Sequence, residues 1–202
     1  AAIYVAPFVE EAAKGTVLFW LVILMRYQWV SRLSGIVLAG LSGAAFAFVE
    51  NILYYGRAYR YAARTFGEMP PLEALQSLFM LRGVMTFFGH PLFTAMIGIG
   101  LAVAVRSKSK IVRVVAPLAG YGAAAFLHMA FNASASLLQG SQLLLIYLLV
   151  ALPLVVGVVI FTVRQVLLEG RLVRTRMIDY VRLGWLLAED PPALARLRTR
   201  GR

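Results

Sequence analysis

The chain has 202 residues, 61% hydrophobic and 14% charged, with a mean hydropathy of +0.79. Soluble domains run near 45–50% apolar and about 25% charged, so the composition excludes that class and leaves one integral membrane domain. The absence of cysteine excludes disulfides, a thiol nucleophile and a cysteine-bound metal. A net charge of +11 would suit nucleic acid in a soluble protein. Here it is the Lys/Arg excess of cytoplasmic loops, and no nucleic-acid partner is expected.

A helical span needs roughly 20 apolar residues, and five segments qualify. The first runs from about Tyr4 to Met25 and carries Glu10, Glu11 and Lys14. Its two acids argue against reading it as a signal peptide. The second runs from about Leu33 to Tyr55, with Gly35, Gly40, Gly43 and Glu50. The third lies within Leu72 to Val105 and is interrupted at Gly89-His90-Pro91. Proline lacks an N–H and clashes with the carbonyl four residues back, so a break is expected there, with His90 at it. The fourth runs from about Ile111 to Leu137 and holds His128 and Asn132. The fifth runs from about Leu143 to Val163. The expected fold is an all-α polytopic bundle of about five spans over residues 1–163. A basic tail, 164–202, follows it.

The loops alternate in charge. Residues 26–32 hold Arg26 and Arg32, residues 106–113 hold four basic residues, and the tail from Arg164 holds nine arginines. The loop at 56–73 mixes three arginines with Glu68 and Glu73, and 138–142 is uncharged. The positive-inside rule places 26–32, 106–113 and the tail in the cytoplasm. In the tail, Val173, Met177 and Val181 are spaced by four. Residues 168–187 therefore predict an amphipathic helix on the inner leaflet, ended by Pro191-Pro192. Arg196, Arg198, Arg200 and Arg202 form a basic end.

This topology brings the polar residues to one depth. At ~1.5 Å per residue, Glu10, Glu50, His128 and Asn132 lie about five to nine residues below the outer helix ends, and His90 lies roughly 22 Å from the inner end of its span. Ionisable groups inside membrane segments are costly and mark functional sites. His128 and Asn132 are four apart and share a helix face. Lys14 lies three and four residues after the acids and can neutralise one of them.

Several chemistries fall away. H-E-x-x-H, the usual zinc-protease motif, is absent, and no span contains an aspartate. Gly40-Leu41-Ser42-Gly43 matches the G-x-S-G of rhomboid proteases, but Ser42 lies about eight residues deeper than Glu50 on the ~1.5 Å ladder. A small-residue packing face is the better reading.

The remaining motifs are Glu10-Glu11-x-x-Lys14, Phe46-x-x-x-Glu50-Asn51, His90-Pro91-x-Phe93-Thr94 and His128-x-x-x-Asn132. Over about Ala6 to Asn132 this set resembles the PrsW family of intramembrane proteases, relatives of the CAAX-type prenyl endopeptidases. Lys14 in place of arginine, and Glu50 in place of histidine, favour the PrsW branch over the prenyl-substrate branch. The resemblance implies an intramembrane endopeptidase with Glu10, Glu11, Glu50, His90, His128 and Asn132 as its catalytic set. The glutamates would activate water, while His128 and Asn132 would stabilise the oxyanion. The same residues also allow Glu50, His90 and His128 to hold a zinc ion with an open position for water. The expected substrate is a membrane-anchored protein cut near its extracytoplasmic boundary by a multi-pass enzyme of the cell membrane. The rival reading is a proton- or cation-coupled transporter, since buried Glu/His chains and broken helices also build ion pathways. No internal repeat supports it, and the site reads as outer-half where a transporter's lies near the midplane.

Overall fold

The computed structural model describes residues 3–65 and 69–196. Glu68, Arg198, Arg200 and Arg202 lie outside the described residues. Among the described residues all regular structure is helical. Four helical runs are long and apolar enough to cross a bilayer: Arg32–Arg64, Pro71–Arg106, Lys110–Leu137 and Gly140–Arg182. Helix α1 (Val5–Leu24) adds a fifth by length, since its 20 residues reach about 30 Å. The chain divides into two compact units, Ala1–Val155 and Val156–Arg202.

In the first unit the elements follow the predicted order, with two informative differences. Helix α2 (Arg32–Arg64) starts at a reciprocal cap, in which the Ser31 and Ser34 side chains satisfy each other's backbone N–H groups. It runs 33 residues, well past the expected end at Tyr55. Residues 56–64 are helix-compatible and carry three arginines, so the helix continues once the apolar stretch is spent. The third span breaks earlier than expected. Helix α3 (Pro71–Phe79) runs into a π-helical segment, Met80–Met85, and helix α4 (Gly89–Arg106) begins after a turn at 86–88. Pro91 thus stands in the first turn of α4. The carbonyl four residues back belongs to Phe87, outside the helix, so the ring breaks nothing there. Helix α5 (Lys110–Leu137) is capped by Ser109, whose Oγ accepts from Val112 N.

Helix α4 is the centre of the bundle, packed between α2 and α5 and touching α1. Eleven of its 18 residues are buried, whereas the other helices turn leucines, valines and phenylalanines outward. Leu18, Trp29, Ala39, Ile97, Leu101, Ala102 and Ala124 make the core. The helices approach closely because small residues meet. Gly35 and Gly98 press against each other's backbone carbonyl, and a Cβ on Gly43 would lie 2.6 Å from the His90 carbonyl oxygen. Gly40, expected to share this packing face, has nothing within 4 Å of where its Cβ would be. Ser42 has no hydrogen bond to either histidine among the described residues. Ser42→Ala is therefore expected to leave proteolysis near the wild-type rate, and complete loss in a cleavage assay would return the serine-nucleophile reading.

After α5 come helix α6 (Gly140–Ile146), a second π-helical segment (Tyr147–Ala151) and helix α7 (Leu152–Arg176), which crosses into the second unit. That unit adds α8 (Ile178–Arg182) and α9 (Asp190–Ala195). The predicted helix over 168–187 is interrupted at Met177 and ends at Arg182, two residues before Gly184, whose φ of +75° favours glycine. Pro191-Pro192, expected as a stop, instead open α9, where proline's fixed φ fits a first turn.

Candidate active site

Five elements of the first unit bring their polar side chains to one place. Helix α1 supplies Glu10, Glu11 and Lys14, and α2 supplies Glu50 and Asn51. The π-helical segment supplies Arg82, α4 supplies His90 and Thr94, and α5 supplies His128 and Asn132. Glu10, Glu50, His90, His128 and Asn132 line one cavity, where about 60 Å³ is open to water centres. That is room for a few waters.

Glu11 lies behind this cavity and is fully buried. Its carboxylate accepts from Lys14 Nζ at 2.7 Å, Thr94 Oγ1 at 3.0 Å and His128 Nδ1 at 3.0 Å. Lys14 is equally buried and has four neighbours. Besides Glu11 it lies 4.0 Å from Glu10 Oε2, 2.9 Å from His90 Nδ1 and 4.2 Å from the centroid of the Phe46 ring. An ammonium only donates, so His90 Nδ1 accepts from it. His90 Nε2 then carries the proton and donates to Glu50 Oε2 at 3.0 Å. A carboxylate only accepts, so His128 Nδ1 carries that ring's proton toward Glu11. His128 Nε2 faces Glu10 Oε2, 3.8 Å away. Phe93 stacks on His128 at 5.0 Å and 22°, fixing the ring plane.

Arg82 was not among the expected residues. Its Nη2 donates to Glu50 Oε2 at 2.5 Å, its Nε donates to Asn51 Oδ1 at 2.8 Å, and its guanidinium lies 4.0 Å over the Tyr54 ring. The signal was present: an arginine inside an apolar run obeys the same rule that singled out Glu50.

The donors suit a metal cation. Glu10, His90 and His128 each offer a ligand atom, all within 4.8 Å of one another. Glu50, expected beside the histidines in such a set, instead bonds His90 and Arg82. Glu10 Oε2 is buried and has no hydrogen-bond partner. Its 3.8 Å separation from His128 Nε2 is too long for a hydrogen bond. It suits two ligands each about 2.0–2.2 Å from a shared ion. The carboxylate behind His128 is the usual orienting partner of a metal-binding imidazole.

Residues 1–158 match the family model described as PrsW family intramembrane metalloprotease. Comparison with curated proteins and with solved structures returned no match. The motifs that carried the resemblance now stand around one cavity, and the match covers the whole bundle that builds it. The chain is a multi-pass membrane protein that belongs to the PrsW family of intramembrane proteases.

Proposed function

We propose that this chain hydrolyses a peptide bond of a membrane-anchored protein near the extracytoplasmic side, with its tail in the cytoplasm. The observation that carries the reading is the buried Glu10 oxygen that has no hydrogen bond, set beside His128 Nε2 in a cavity of water size. Such an arrangement is costly unless something occupies it.

Glu10, His90 and His128 would hold a metal ion such as zinc. A bound ion of that kind polarises a carbonyl and makes its water a nucleophile at neutral pH. With Glu10 holding an ion, Glu50 is the base left within reach of a water in the cavity; with none bound, either carboxylate can accept its proton as oxygen attacks the peptide carbon. Glu11 acts through His128, holding its tautomer. His128, with Nδ1–H given to Glu11, would offer Nε2 to a cation rather than donate to an oxyanion. Asn132, whose amide donates, suits the developing oxyanion.

The test is cleavage of a single-span reporter library in liposomes, with and without a chelator. Cleavage is expected to fall with chelation and to return with added zinc. Full activity in chelator would favour water activated by glutamate alone. Proton flux without any cleavage would turn the reading to a transporter.

A further inference from the structure

Arg82 reaches α2 through three partners, Glu50 and Asn51 on one turn and Tyr54 on the next. A cation inside a membrane segment is expensive, and such groups are kept where they face a polar interior. The docking of α3 on α2 has contacts of its own. Phe79 lies against Tyr55 with ring centroids 5.9 Å apart, and Gly83 sits beneath the Tyr55 hydroxyl. Neither α3 nor the π-helical segment contains a buried residue. Arg82 is therefore not a by-product of core packing. The π-helical segment around it is a form that occurs mostly at functional sites.

We propose that Arg82 is a positioning residue for the peptidase reaction: its guanidinium fork, one nitrogen on Glu50 and another on Asn51, holds the Glu50 carboxylate against His90. Both Arg82 Nη2 and His90 Nε2 bond the same oxygen, Glu50 Oε2. The fork therefore fixes where that oxygen sits relative to the imidazole. Without it, Glu50 is free to swing on its own side chain and His90 loses its oriented acceptor. The Nε bond also sets the Asn51 amide, with Oδ1 toward the guanidinium. Lysine keeps the charge but cannot make both bonds from one planar group. The inference rests on the peptidase reading for its kinetic effect, though the geometric effect on His90 does not.

The experiment uses the full chain, with Arg82→Ala and Arg82→Lys. Four quantities are measured: kcat and KM on a reporter the wild type cuts, melting temperature, and the ring signals of ¹⁵N-labelled histidine. The chain has only two histidines, so the spectrum is readable. Arg82→Ala is expected to lower kcat by about 10–100-fold, the usual scale for a residue that supports site groups, with KM little changed. The His90 Nε2 signal should move, and added guanidinium should restore part of the rate. Arg82→Lys should fall between. Wild-type kcat and an unmoved His90 signal in a folded Arg82→Ala overturn the proposal. Where the alanine variant melts early, the lysine variant decides, and full kcat with an unmoved signal there overturns the fork. A wild type that cuts nothing, with a His90 signal that still moves, sinks the peptidase reading and leaves the positioning intact.

Discussion

Replacing Glu10 by glutamine, and separately Glu50 by glutamine, is expected to lower peptide cleavage by about 10²–10⁴-fold, the range a general base contributes, while the protein stays folded. The two positions lend themselves to this test because neither carboxylate is the tight partner of Lys14. Glu10 Oε2 has no hydrogen bond to lose, and a neutral amide is cheaper to bury than a charge. At position 50 the amide oxygen can still accept from Arg82. The isostere therefore keeps shape and removes only the ability to take a proton or bind a cation. Cleavage of the reporter and melting temperature in detergent are measured together. A folded variant at either position that still cuts at the wild-type rate would remove that residue from the mechanism.

Lys14→Met should behave in the opposite way, striking stability first. Lys14 and Glu11 are both buried, and among the described residues their 2.7 Å contact is the only one at hydrogen-bond distance between Glu11 and a lysine or arginine. Removing one partner of a buried pair leaves an uncompensated charge and costs about 3–5 kcal/mol. Unfolding of the Lys14→Met variant in mixed micelles is expected to show a loss of that size. Replacing both, as Lys14→Met with Glu11→Leu, should recover much of it, since apolar pairs of similar volume are often neutral. A single variant as stable as the wild type would mean that Glu11 is not held as an anion.

Most of the site was legible because bilayer energetics make buried charge conspicuous. Glu10, Glu50, His90 and His128 stand out against leucine and valine, and the helical rise alone brings them to one level. What the one-dimensional pattern does not carry is direction across helices. Glu10 and Glu11 are adjacent and chemically identical, yet one lines the cavity and the other stands behind His128. A rotation of about 100° per residue separates the two roles, and only the packing of α1 against α4 and α5 sets the phase. Arg82 was passed over because its span is broken twice, by a π-helical segment and by a turn, and regular periodicity does not survive either. The proline at 91 misled for a related reason. Its effect depends on whether a helix precedes it, which is a property of residues 86–88 and not of proline.

The close seat of Gly43 on the His90 carbonyl gives the enzyme a mechanical datum. Gly43 and Glu50 are seven residues apart on α2, two turns and about 10 Å along the axis, and they lie on one face. The same contact that stops α2 against α4 therefore also meters how far Glu50 reaches toward the imidazole of His90. A carbon atom that is missing at one position calibrates the meeting of two polar groups further along, so part of the candidate site's geometry is written in a residue that has no chemistry of its own.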